Sequence, residues 1–210
     1  MYVRGHVNDV PLLYHVTEDM MSQEQQQQPS YWKKLKGDKV RSGIPYPGWR
    51  EIVISGLGGL LVISLIRFVD LSLVKAIIPP IGASAVLVFA APAAPFSQPR
   101  NVIGGHLISA TVGVIVAMIF QTTNADGVAV PLITWWTAGL ASAGAITLMV
   151  ATKMIHPPAG ATALLPVLSA TLLPFSWILS PVLIGCLILV ISGILYNNLW
   201  AKRKYPSFWI

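Results

Sequence analysis

The chain has 210 residues; 54% are apolar and only 10% are Asp, Glu, Lys or Arg, against roughly 25% charged in an average soluble domain. With a mean hydropathy of +0.67, this excludes a disordered protein and a soluble Rossmann or barrel enzyme, and the single Cys186 excludes a disulfide scaffold. The net charge of +6 sits mostly at the ends: between Ile52 and Trp200 the basic residues other than histidine are Arg67, Lys75, Arg100 and Lys153, and the acidic ones Asp70 and Asp126. Basic clusters that flank apolar segments point to membrane anchoring rather than to nucleic acid.

Residues 1–48 read as a polar tail. It holds the Gln25–Gln28 run and the basic stretch Lys33, Lys34, Lys36, Lys39 and Arg41. No positive start followed by an apolar core marks a cleaved signal. His6 and His15 have no metal-ligand spacing around them. Tyr46-Pro47-Gly48-Trp49-Arg50 suits entry at the headgroup level, because Pro and Gly stop any earlier helix and Trp and Arg favour the interface.

A membrane domain over 49–202 follows, with a short C-terminal tail at 203–210. Four segments have close to the 20 or so residues a bilayer demands: Ile52–Val69, Val102–Phe120, Pro131–Ala151 and Ile178–Trp200. Small residues recur in them, Gly56, Gly58 and Gly59 for example, and permit close helix packing. Trp135, Trp136, Trp200 and Trp209 read as interfacial anchors. Two further apolar stretches, Pro79–Phe96 and Pro157–Phe175, are broken by Pro92 and Pro95 in one and by Pro166 and Pro174 in the other. Neither is expected to be a uniform helix. Such breaks are tolerated at membrane depth where they face protein or a wet cavity.

The two broken stretches match. Pro79-Pro80-Ile81-Gly82-Ala83-Ser84-Ala85 aligns with Pro157-Pro158-Ala159-Gly160-Ala161-Thr162-Ala163, the pattern P-P-x-G-A-[S/T]-A. Each copy lies between two long apolar segments, so the chain reads as two three-segment repeats, about 48–121 and 129–202. The expected fold is all-α and polytopic, with four long spanning helices and two Pro-broken segments. Paired, interrupted segments in two halves are a pointer to a transport site. Loop charges bear on the handedness of the repeat. If the tail and Lys202–Lys204 are cytoplasmic and the Gln121–Val130 linker is outside, the first unit crosses an odd number of times. This favours six crossings in an inverted three-plus-three arrangement. Four spans with two re-entrant hairpins and parallel repeats is the competing topology.

The candidate site centres on the twin element. Pro79, Pro80, Pro157 and Pro158 pre-set the backbone for a helix start. Gly82 and Gly160 would let backbones approach closely. Ser84 and Thr162 offer hydroxyls one turn in. The free N–H groups of such a helix start would favour an anion. The ionisable residues near the apolar core are cationic or neutral, Arg67, Lys75, Arg100, His106, Lys153 and His156, and no Asp or Glu sits mid-segment. That argues against a carboxylate-driven cation pump and for an anion or small neutral solute. Arg100, Lys153, His106 and His156 therefore join the candidate substrate-binding set. His156 precedes the second Pro pair and would hydrogen-bond a substrate, gate the path or brace the loop. The histidines have no acidic or Cys partner, so no metal and no cofactor are expected. No Ser/His/Asp set or di-acid pair suggests an enzyme. Met149, Met154 and Cys186 read as lipid- or core-facing.

At His156-Pro157-Pro158 the sequence resembles the HPP family of integral membrane proteins. The run from His156 to Pro166, with its twin at 79–85, carries the resemblance, which covers about 46–200. It implies a membrane domain described as having four helices. Plant chloroplast and cyanobacterial members are described as nitrite transporters, so the resemblance implies transport of nitrite or a similar small anion. The expected partners are that anion and the lipid bilayer, with no nucleic acid and with room for a homo-oligomer. The expected location is a bacterial plasma membrane, with both termini cytoplasmic. The alternative is a non-transport membrane subunit or sensor whose N-terminal tail binds a partner.

Overall fold

A computed structural model describes residues 48–68, 78–200 and 202–209. The tail reading, Asp70 and Lys75 lie outside the described residues. Among these residues, six α-helices follow in order: α1 Trp49–Phe68, α2 Ile78–Ala90, α3 Pro99–Ile119, α4 Trp135–Ala151, α5 Ala159–Val167 and α6 Ile184–Asn197. All four long apolar segments of the sequence are therefore helical. Among the described residues, three helices are long and apolar enough to cross a membrane: α1, α3, and α6 taken together with the turn before it, Ile178–Asn197. The 17-residue α4 is shorter.

Two corrections concern the ends of these segments. Pro131–Thr134 is not helical. A short antiparallel hairpin, β1 Gln121–Thr123 with β2 Ala129–Pro131, occupies the linker, so the fold is helical but not all-α. Thr134 then starts α4 through a capping box: its hydroxyl accepts from Thr137 N, and the Thr137 hydroxyl accepts from Thr134 N. The last apolar segment is also broken. Pro181 lies in an irregular turn over Ile178–Leu183, and Ser180 leaves the helical region at φ −137° and ψ 114°.

The Pro-broken stretches behave as expected. In the first, the 13-residue α2 ends before Pro92, and a 3-10 turn, Pro95–Ser97, leads into α3. In the second, α5 has nine residues with Pro166 inside it. At 1.5 Å per residue these rise only about 20 Å and about 14 Å, well short of the roughly 30 Å hydrocarbon core.

Side-chain distribution is inverted relative to a soluble bundle. Large apolar residues face outward along α1 (Leu57, Leu60, Leu61, Leu65) and α6 (Leu187, Ile191, Leu195). Ser84, Ser97, Gln98, His106, Ser109, Thr137, His156, Thr162 and Asn197 are buried. Such a surface suits lipid, and the buried polar groups are then obliged to pair with one another.

Each half lends its third helix to the other. Helix α3 packs on α4 and α5, while α6 packs on α1 and α2. Small residues set the closest approaches. A Cβ at Gly113 of α3 would strike the Ala163 carbonyl of α5, one at Gly58 of α1 would strike Phe89, and one at Gly193 of α6 would come 2.6 Å from Val88. The contacts also fix directions. Gly105 lies against His156 and Gly113 against Ala163, so α3 and α5 run parallel.

One end of the bundle is fastened by the residues after α6. The Arg203 guanidinium donates to the Glu51 carboxylate at 2.6 and 2.9 Å, to Ser55 Oγ at 2.8 Å, to the Phe89 carbonyl at 2.7 Å and to Asn197 Oδ1 at 3.1 Å. The Tyr205 hydroxyl donates to the Ser97 carbonyl at 2.8 Å, and Ser207 N donates to Gln98 Oε1 at 2.8 Å. The segment expected as a tail at 203–210 is thus joined to the starts of α1 and α3 and to the ends of α2 and α6.

Candidate functional site

The twin element folds into one place. Ser84 of α2 and Thr162 of α5 occupy equivalent positions of the repeated pattern, and a single imidazole bridges them. His106 Nε2 lies 2.8 Å from Ser84 Oγ, and His106 Nδ1 lies 2.7 Å from Thr162 Oγ1. The second histidine joins from the turn before α5: His156 Nε2 is 2.8 Å from the same Ser84 Oγ. Its Nδ1 is 2.7 Å from the Phe96 carbonyl oxygen. All four side chains are fully buried, and the two rings stand 5.0 Å apart, tilted by 59°.

Local sequence explains the placement. His106 sits two turns into α3, whose start at Pro99 follows from the proline's fixed φ. Gly105 beside it leaves room for the neighbouring turn: a Cβ there would lie 2.7 Å from His156 Cβ and 3.1 Å from the Met154 carbonyl. Asn101 Nδ2 donates to the Ile155 carbonyl at 2.9 Å and holds that turn against α3. Ser84 Oγ also bonds back to the Pro80 carbonyl at 2.9 Å, the usual resting place of a helical hydroxyl.

Other predicted site residues fall outside this cluster. Pro79 and Pro157 are exposed, and Pro158 is half-buried. Pro80 contributes its carbonyl. Arg100 points away, donating to the Thr152 carbonyl at 3.2 Å, and Lys153 is exposed at φ 57° in the turn after α4. Both cations belong to the rim of the bundle.

Two parts of the sequence reading are corrected. Gly82 and Gly160 do not mediate close approach, because a Cβ on either meets nothing within 4 Å. Gly105 and Gly113 of α3 do that work instead. Nor does the start of α5 leave free donors: Ala159 N, Gly160 N and Ala161 N bond to the carbonyls of His156, Pro157 and Pro158 at 2.9, 3.1 and 3.2 Å. At the start of α5, polar groups are therefore offered by the hydroxyl and imidazole side chains and not by free backbone donors. The two imidazoles supply two nitrogen donors, and among the described residues no group of three His, Cys, Asp or Glu side chains could hold a metal ion.

Sequence reasoning missed the Phe96 carbonyl, Gln98, Asn197 and Arg203. Gln98 and Asn197 carried a signal, as amides inside or beside apolar segments that need buried partners. The partner of Arg203 carried none, being 152 residues away.

Comparisons with known proteins agree that the chain is a membrane protein. Residues 44–206 match the family model described as HPP, transmembrane region. A transmembrane protein of Dictyostelium discoideum is 41% identical over 187 residues, covering 85% of this chain and 57% of its own length. Another from the same organism is 34% identical over 186 residues, covering 85% of this chain and 63% of its own. The chain thus spans about three-fifths of these relatives, whose printed names state only that they are transmembrane proteins. They are not bacterial, so they lend no support to the bacterial plasma membrane expected above; residence in a membrane stands. No solved structure matches the chain. Its helices, outward apolar faces and matched segment together make this chain a member of the HPP transmembrane family.

Proposed function

We propose that the protein transports a small anion across a membrane, nitrite by the family resemblance, along a path through the Ser84–His106–His156–Thr162 cluster. One observation carries the reading: His106 bonds the equivalent hydroxyls of both copies of the repeated element. A packing motif needs no such polar centre, whereas transport sites form where two repeats meet. Helices α2 to α6 themselves hold no Asp or Glu, which also favours an anion, since no carboxylate on them would repel it.

The exchange of third helices supports reading the chain as an inverted duplication. The parallel course of α3 and α5 fits six segments that alternate in direction, with both ends of the membrane domain on one side. The cluster would then lie where one half rocks against the other.

The test is uptake of labelled nitrite into liposomes holding the purified protein, with nitrate, chloride and formate as competitors. Thr162→Val keeps the shape of the side chain and removes its hydroxyl. Saturable uptake in the parent chain, reduced in a folded Thr162→Val variant, supports the reading. Uptake no greater than in empty liposomes rules out nitrite. If partner binding disappears on removal of residues 1–44 and no solute is carried, the protein is a membrane subunit or sensor instead.

A further inference from the structure

We propose that the histidine–hydroxyl cluster loads one proton with each anion, making the protein an electroneutral anion–proton symporter. The inference rests on the transport reading above and adds its coupling. It begins with which atoms can donate. The Phe96 carbonyl can only accept, so His156 carries its hydrogen on Nδ1, and its Nε2 presents a lone pair to Ser84. Ser84 has one hydroxyl proton and two acceptors within reach, the Pro80 carbonyl at 2.9 Å and His156 Nε2 at 2.8 Å; we assign it to His156 Nε2, because a helical carbonyl can also be served by a backbone N–H and the imidazole lone pair cannot. The oxygen of Ser84 is then free to accept, so His106 donates from Nε2. His106 Nδ1 is left as an acceptor, and the Thr162 hydroxyl donates to it.

These assignments follow from the network and have one self-consistent direction: Thr162 O–H to His106, His106 N–H to Ser84, Ser84 O–H to His156, and His156 N–H to Phe96. The opposite tautomer of His106 would aim two imidazole lone pairs and the Pro80 carbonyl at the single Ser84 proton.

A directed chain of this kind accepts one further proton without rearranging its heavy atoms. The proton forms an N–H bond at His106 Nδ1 while the Thr162 hydroxyl turns to accept. The His106 Nε2 proton passes to Ser84 Oγ as the Ser84 proton passes to His156 Nε2. The product is a neutral His106 and a doubly protonated His156, one proton gained and no other bond changed. When the site opens to the opposite side, the same steps in reverse release the proton.

The surroundings enforce the stoichiometry. Helices α2, α4 and α5 carry no ionisable side chain, and α6 brings only Cys186 and Tyr196. Arg100 at the start of α3 is engaged with Thr152, Lys153 is exposed, and Arg50, Glu51 and Arg67 lie on α1, which packs on α2 and α6. Among the described residues, no carboxylate is therefore available to neutralise an imidazolium in the buried cluster. An isolated buried charge is costly, whether it is the added proton or an anion. Each makes the other's entry favourable, and this reciprocal dependence is coupling.

Two measurements test it. The first uses liposomes under an imposed potassium diffusion potential or an imposed pH gradient, with a pH dye inside. Nitrite uptake should follow the pH gradient, carry protons inward and ignore the potential, and Ser84→Ala should abolish the pH-driven component while Ser84→Thr retains it. Saturable uptake driven by the potential and indifferent to the pH gradient would overturn the coupling and leave the transport reading standing. No saturable uptake would remove the transport reading itself. The second measurement does not need transport: nitrogen-15 NMR of the histidines in bilayers should find His156 protonated at Nδ1 and His106 at Nε2. Finding His106 protonated at Nδ1 in the neutral state would overturn the directed chain whatever the flux result.

Discussion

Replacing Arg203 by Met removes a nearly buried cation and keeps most of its aliphatic bulk. The Arg203 side chain is 5% exposed and its partner Glu51 is 39% exposed. Breaking a buried ion pair by removing one partner costs about 3–5 kcal/mol. The half-exposed Glu51 regains water, which cuts the ionic part to about 1 kcal/mol, as for a solvent-screened pair. Against that, the Phe89 carbonyl and Asn197 Oδ1 each lose a donor, at about 1 kcal/mol or more apiece. The expected loss is about 3 kcal/mol. For a domain of this size 1 kcal/mol moves Tm by roughly 2–4 °C, so the expected drop is about 6–12 °C. Cys186, the single cysteine, is buried, so a thiol-reactive fluorophore in detergent reports unfolding directly. Glu51→Gln keeps acceptor and donor atoms and should cost less. The double variant should cost clearly less than the sum of the singles, because the two changes remove one shared interaction. A Tm drop under 2 °C in Arg203→Met, or additivity in the double variant, would refute the view that this contact fastens the end of the bundle.

Other outcomes follow from the same contacts. Gly113→Ala should destabilise by about 1–3 kcal/mol, since the Ala163 carbonyl occupies the space of the new methyl; the same thiol-reactive melt reads it. Gly82→Ala enters open space in α2 and should be neutral, or stabilising by up to about 1 kcal/mol through helix propensity. Tyr205→Phe removes the donor to the Ser97 carbonyl and should lower stability by about 1 kcal/mol. Burial pushes the Tyr205 phenol above its ordinary value of about 10. The folded state therefore holds its proton longer than the unfolded chain, and the stability tied to this group falls as pH rises past about 10. Melts across that range should show a steeper decline in the parent than in Tyr205→Phe.

The amino-acid sequence by itself determined the membrane class, the long apolar helices and the twin element. These depend on composition, segment length and local pattern, which act within one helix or turn. It also singled out Ser84, Thr162, His106 and His156, as hydroxyls of the repeated element and neutral or cationic groups near the apolar core. Their pairing was beyond its reach. Ser84 meets His106 22 residues away and His156 72 residues away, and His106 meets Thr162 56 residues away. Such partners are chosen by which helix faces pack, and no periodicity encodes that choice.

The roles of the glycines divided in the same way. The pattern drew attention to Gly82 and Gly160, but contact falls on Gly105 and Gly113, because only the approach of α5 to α3 decides where a side chain would clash. Arg100 and Lys153 were plausible anion ligands by charge, yet a turn and a backbone carbonyl hold them at the rim. Arg203 looked like one more basic residue of a tail and became the fastening of four helix ends. Local sequence decides what a segment can form; the tertiary structure decides which buried groups must satisfy one another, because their hydrogen bonds form only after the helices have docked.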